Sequence, residues 1–252
     1  MPSIVSNSEL LVALLKDVDT ISEQHQAALT LFHRLVEASV RKFLGFDPCY
    51  QQHVQFLPIQ RRRFPTRSLQ LPNFPVRRIS SLIVDENGYS GQAPNAFTSD
   101  NGAETLTAGV DYYLTGVTSG MGGTNGLDAD DIFSATGIVE RVDGYWPMIQ
   151  GSVKVTYWAG YTVQELRGFG DYHFGGIIKK ATVEALLWNF RQVLAQAKAA
   201  GGVGSVKTSE TMGDYSYTIS DMAAVVGNLT VHLPNSVSQS LQTVRSYNVA
   251  GA

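Results

Sequence analysis

Two hydrophobic periods divide this chain. At its start, Ser8-Glu9-Leu10-Leu11-Val12-Ala13-Leu14-Leu15 reads as a short helix capped at Asn7 or Ser8. From Ile21 to Leu44, the apolar positions Leu29, Phe32, Val36, Val40 and Phe43 recur every three or four residues. That spacing predicts one apolar stripe on a helix of roughly six turns. Gly45 ends it, and Pro48 prevents its resumption. Between Tyr50 and Tyr161 the period becomes two. Val54–Leu57, Ile79–Val84, Asp111–Leu114, Gly137–Val142 and Ser152–Trp158 are short, β-branched or aromatic, and bounded by Gly, Pro, Asn or Asp, so they read as strands. Helical period returns over Ile177–Lys198, where Ile177, Ala181, Glu184, Ala185, Trp188 and Gln192 share one face. Gly201-Gly202-Val203-Gly204 closes it. Beyond lie a strand-like Tyr215–Ile219, an apolar Met222–Val226 and a helix after Pro234, with Val237, Leu241 and Val244 facing one way.

This order predicts an α+β fold. The N-terminal helices and one long central helix form a helical core, an antiparallel β region is inserted in it, and a C-terminal arm extends from it. The segments fall at 1–48, 49–165, 166–200 and 201–252. Two Gly-, Ser- and Asn-rich stretches, Tyr89–Ala108 and Thr115–Asp130, hold too little apolar surface to order themselves, and are expected to stay mobile until something packs on them. With 252 residues and 44% hydrophobic content the chain can bury a substantial core and is not a disordered protein. Charged residues make up 16%, below the usual level of about 25%. Such a surface suits either a protein covered by its neighbours or one with long polar loops.

The few charges are segregated. Between Arg61 and Arg78 stand six arginines, Arg61, Arg62, Arg63, Arg67, Arg77 and Arg78, with no acid. From Ile79 to Glu140 there are nine acids and no Lys, Arg or His. A net charge of −3 therefore hides a basic and an acidic surface. Surfaces of opposite sign can steer a polyanion or a complementary protein, and in a closed ring one copy's basic face can meet the next copy's acidic face. For Arg61–Arg63 three readings stand open: a solvated loop, an acidic protein partner, or a phosphate backbone. Only Phe64 and Phe74 are near for stacking, which argues against base-specific binding.

Chemistry-bearing motifs fail on inspection. Gly201–Thr208 imitates a phosphate loop but has Val206 where the pattern needs Gly, and it follows a helix where a phosphate loop follows a strand. Asp128-Ala129-Asp130-Asp131-Ile132 lacks the third ligand and the turn glycine of a calcium loop. The five histidines form no H-x-x-x-H or H-x-H pair, and no G-x-S-x-G elbow occurs. Cys49 is the only cysteine, so no intramolecular disulfide or cysteine-based zinc site is possible, and it reads as a small apolar filler. The expectation is no enzyme, no cofactor and no metal. Met1–Asn7 lacks the basic start of a signal peptide, and no stretch approaches the ~18 apolar residues of a membrane span. A protein maturing in a cytoplasm, without membrane contact, is expected.

One ordered series of short motifs remains. It comprises Leu71-Pro72-Asn73-Phe74-Pro75-Val76 leading into Arg77–Val84, then Asp111-Tyr112-Tyr113-Leu114, Gly137-Ile138-Val139 and Tyr145-Trp146-Pro147. Val153–Tyr161, the helix Ile178–Leu187, Glu210-Thr211-Met212-Gly213-Asp214-Tyr215-Ser216 and Leu233-Pro234 complete it. The series, over roughly residues 70–247, resembles the head–tail connector proteins of tailed bacteriophages. The resemblance implies a structural adaptor in the virion neck, assembled in the host cytoplasm. It implies a dodecameric ring that joins the portal protein to a downstream neck or tail protein and continues the channel for DNA without sequence specificity. The arginines then face a subunit, a partner or the DNA channel. The C-terminal arm, with Leu241, Val244, Arg245 and Tyr247, docks on the portal. A stopper or tail-completion protein of the same neck, and a polysaccharide- or nucleic-acid-binding β module, are the alternatives.

Overall fold

A computed structural model describes residues 2–13, 23–58, 64–87, 91–92, 96–118, 132–168, 174–199, 209–212, 215–218, 231 and 233–249. The fold is α+β. The chain divides into two compact units, one built from residues 3–45 and 176–244 and the other centred on 46–175.

The first unit is helical. Helix α1 (Asn7–Ala13) begins with a reciprocal cap: Glu9 N donates to Ser6 Oγ at 3.2 Å, and Ser6 N to Glu9 Oε2 at 3.0 Å. The cap is thus Ser6, one residue before the expected position. Helix α2 (Glu23–Leu44) buries Phe32, Val36 and Val40 of the expected stripe, with Leu44 buried in place of the expected Phe43, and ends where Gly45, at φ +81°, returns its N–H to Arg41 O. The same stripe buries Glu37. Its Oε1 accepts from Ser3 Oγ, Ile4 N and Val5 N at 2.7–3.0 Å, while His33 and Arg41 flank it at 3.0 and 3.2 Å. Burial raises the Glu37 carboxyl, and the His33, Val5 and Ser3 hydrogen bonds more than offset it, holding the group at about 2.

The long helix, numbered α4 because a short helix precedes it in the chain, spans Phe174–Ala199. It buries Ile178, Ala181, Thr182, Ala185, Leu186, Asn189 and Phe190. That face is rotated from the expected one: Trp188 is exposed, and Glu184 accepts a hydrogen bond from Ser236. The reason is that Thr182 and Asn189 donate to their own helix's carbonyls at Ile178 and Ala185, both at 2.8 Å, and so can be buried at little cost. Phe190 meets Phe32 edge-on at 6.1 Å, and Lys179 reaches Glu9 at 2.6 Å. Helix α5 (Asn235–Val249) follows Pro234 and is seated by Val237, Leu241 and Val244, none of which has measurable exposure.

The second unit is the β region. Its strands are β1 (Gln51–Leu57), β2 (Ser68–Gln70), β3 (Val76–Val84), β4 (Glu104–Thr105), β5 (Tyr112–Leu114), β6 (Val117–Thr118), β7 (Phe133–Ser134), β8 (Ile138–Arg141) and β9 (Val153–Ala159). A six-stranded antiparallel sheet runs β1-β9-β3-β7-β6, with β4 on β3, and a three-stranded sheet runs β2-β8-β5. Central strand β9 alternates as its sequence predicts, burying Val153, Val155, Tyr157 and Ala159. Leu69, Val139 and Tyr112 from the smaller sheet, with Trp146, join the same core. Helix α3 (Val163–Leu166) follows Gly160, which has φ +105° and whose added Cβ would stand 2.4 Å from the Cys49 backbone. Cys49 is buried there.

Part of the first expected mobile stretch is structured. Phe97 is buried and donates its N–H to Asp85 Oδ2 at 2.8 Å, and β4 pairs with Ile83–Val84. Phe97 and Leu106 give this polar segment two apolar anchors that its overall composition conceals. In the second stretch, Val117–Thr118 forms β6, while residues 119–131 lie outside the described residues, as does Met222–Val226. A separate hairpin joins β10 (Ser209–Met212) to β11 (Tyr215–Thr218).

Candidate interaction surface

The six arginines do not share one surface. Strand β3 carries a bulge: Val76 faces Ala159 and Arg78 faces Trp158, so Arg77 is an extra residue with no partner across the ladder. The bulge turns Arg77 inward, where it has no exposure at all. Its Nε donates to Gly160 O at 3.1 Å, and its Nη2 donates to both Glu165 carboxylate oxygens at 2.8 Å. The guanidinium lies 4.7 Å from the centre of the Phe133 ring. Glu165 is fixed in turn by the reciprocal cap of α3, accepting from Thr162 N at 2.8 Å. Arg77 therefore leaves the basic surface, because a buried guanidinium must be paired, and Glu165 pairs it. Arg78, next in sequence, is half-buried and lies over Trp158 at 5.7 Å. Arg67 is exposed; Arg61, Arg62 and Arg63 lie outside the described residues.

The C-terminal arm is corrected in the same way. Leu241 and Val244 are core residues of the helical unit and offer nothing to a partner, because their stripe is the one that seats α5. Arg245 is exposed, and the side chain of Tyr247 lies outside the described residues.

A surface that sequence reasoning missed is built at one end of the three-stranded sheet. Backbone hydrogen bonds from Trp146 N to Thr66 O, Arg141 N to Arg67 O and Val142 N to Asp111 O, at 2.9–3.0 Å, draw three loops together. Trp146 anchors them: its indole is buried in the β core, with the Arg141 guanidinium 5.6 Å above it and Glu104 3.5 Å beyond. In and beside these loops in sequence, large apolar side chains are exposed. Phe64 is 70% exposed, Val110 66% and Tyr145 59%, with Val142, Met148 and Ile149 also exposed. On the neighbouring sheet face, Ser68, Glu140 and Tyr113 stand side by side across three strands, and Glu140 accepts from both hydroxyls. That bond raises the Tyr113 phenol above its ordinary value, with Arg67 acting weakly against it. An apolar rim of this kind beside a polar row is the composition of a protein-binding surface. The available signal was the Tyr145-Trp146-Pro147 motif, in which one aromatic anchors the loop and its neighbour is presented.

Among the described residues no three or more His, Cys, Asp or Glu stand close enough to hold a metal ion. No helix among them is long and apolar enough to cross a membrane. No family model matches the chain, and no curated protein matches it. Solved structures similar to it include a chain from the neck of the empty gene transfer agent particle computed with C6 symmetry, 14% identical with TM-score 0.42, covering 92% of this chain and 94% of that one. A chain from the virion of the native gene transfer agent particle is 14% identical with TM-score 0.41, covering 93% of each. A chain from the neck of the native particle computed with C12 symmetry is 12% identical with TM-score 0.39, covering 93% of this chain and 97% of that one.

Proposed function

We propose that this chain is a structural head–tail adaptor of a phage-like particle. In this reading, copies form a ring that joins the portal to the neck or tail and continues the DNA channel. The observation that carries the reading is the apolar rim. Phe64, Val110 and Tyr145 are exposed at or beside loop positions that backbone hydrogen bonds tie together around a buried Trp146. Such a patch is stable in water only at a cost that a protein neighbour removes. The reading is also supported by the motif series from Leu71 to Tyr161, whose Leu71, Val76, Val139, Trp146, Val153, Val155, Tyr157 and Ala159 belong to one core. Arg67, Arg78 and Arg61–Arg63 are assigned to the channel or to a subunit contact, and the chain from Arg245 onward to the portal.

Light scattering and negative-stain microscopy of the purified chain, alone and mixed with a portal protein, test this. A dodecameric ring in either condition is expected, as is its loss in a Phe64→Ser, Tyr145→Ser variant of unchanged melting temperature. A chain that stays monomeric in both conditions overturns the adaptor reading. A variant that still assembles removes the rim from it.

A further inference from the structure

Strand β1 is an open edge. It pairs with β9 on one side over its whole length, Gln51 to Leu57, and among the described residues no other strand pairs with it. No backbone–backbone hydrogen bond outside that ladder ends on these seven residues among those described. A long edge is normally guarded by lysine, proline, a bulge or an inward charge. Gln51-Gln52-His53-Val54-Gln55-Phe56-Leu57 has none of these, and its register with β9 is unbroken. The edge is also rigid. Tyr157 OH donates to Gln55 Oε1 at 2.8 Å, His53 packs on the Tyr157 ring at 5.5 Å, and Asn73 lies 3.3 Å from both His53 Nδ1 and Tyr157 OH. The other described edges are short or charged: β6 has two residues, and β4 carries Glu104.

The chain also holds an incomplete sheet. Among the described residues, hairpin β10–β11 forms a two-stranded sheet, four residues in each strand. Two-stranded ribbons are marginal in water and gain stability from a third strand. An acceptor edge and a donor ribbon thus coexist in one sequence as separate sheets. We propose that they join between copies: the β10–β11 hairpin of one subunit adds to strand β1 of the next, extending its six-stranded sheet. Backbone hydrogen bonds supply the affinity of such an addition, so an uncharged edge without side-chain specificity suffices. Because donor and acceptor differ, the contact is head-to-tail, the type that closes into rings. The proposal rests on the adaptor reading for its ring.

Cysteine pairs in the full-length chain test it. Val54 is half-exposed, and Val54→Cys combined with Thr211→Cys or with Tyr217→Cys samples both strands of the hairpin. Mild oxidation of assembled rings should give a ladder of cross-linked dimers, trimers and higher species in at least one double variant, and none in the single variants. Native Cys49 is buried and serves as the internal blank. Val54→Lys, which places a charge on the edge, should abolish rings while leaving the melting temperature within experimental error of the parent. Rings without any ladder overturn the strand addition and leave the adaptor reading intact. Cross-linking by Val54→Cys alone overturns it in favour of two-fold β1 pairing. A chain that forms no ring removes both.

Discussion

The Arg77–Glu165 pair allows the sharpest test of how the β unit is held together. Both side chains are essentially without solvent, at 0% and 1% exposure, so the pair is not a screened surface bridge. Glu165→Gln leaves a guanidinium with its Gly160 contact and the Phe133 ring but no counter-charge. Removing one partner of a buried pair costs about 3–5 kcal/mol, most of it from the stranded charge. Arg77→Met should cost a similar amount, since it strands Glu165. In a protein of this size about 1 kcal/mol moves the melting point by roughly 2–4 °C, so either change should lower it by about 6–20 °C. The double variant Arg77→Met, Glu165→Leu strands no charge and should recover much of the loss, giving a coupling of about 2 kcal/mol or more in a double-mutant cycle. Urea unfolding followed by tryptophan fluorescence measures all four proteins, since Trp146 and Trp158 both lie in this unit. Single variants within about 1 kcal/mol of the parent would refute the reasoning, because they would mean that water reaches the pair.

Two further outcomes follow from the helical unit. Leu241→Ala should cost about 2–5 kcal/mol, as for a buried leucine, whereas truncation after Val244 should leave the urea midpoint close to the parent's; equal effects would contradict the placement of Leu241 in the core. Glu37 is held at about 2 against an ordinary 4.5, so the carboxylate contributes stability fully present above pH 4.5 and lost as pH falls toward 2. The shift corresponds to about 3 kcal/mol, and Glu37→Gln should flatten the acid limb of a pH–stability profile between those values. An unchanged acid limb would show that the Ser3–Val5 clamp does not depend on the charge. Glu9, also held at about 2 with Lys179 opposite, titrates in the same window and supplies the slope that remains in the variant.

What the sequence revealed, and what it concealed, divides along the range of the forces involved. Periodicity located α2, β9 and α5 within a few residues, because each buries a stripe whose spacing is a property of its own backbone. The buried face of α4 was misjudged, because Thr182 and Asn189 look polar in a sequence and become apolar in effect once their donors are spent on the helix. Arg77 was misjudged for a different reason. Nothing local separates it from Arg78; the two differ only in that β9, about eighty residues later, pairs with Val76 and Arg78 and leaves Arg77 unpaired. The extra residue shifts the facing locally, and a second register shift between Ile79 and Ser81 returns Leu82 and Val84 to the face of Val76. The charge split holds as a count, but one of its six cations is spent on Glu165 inside the fold and does not belong to the surface. The rim leaves no sequence signal because its members, Phe64, Val110 and Tyr145, are dispersed in sequence, and the loops that carry them are tied only by backbone hydrogen bonds among Thr66, Arg67, Asp111 and the Arg141–Trp146 segment. A patch assembled by long-range pairing leaves no periodic trace, and its meaning lies in the exposure of side chains that a solitary subunit has no reason to present to water.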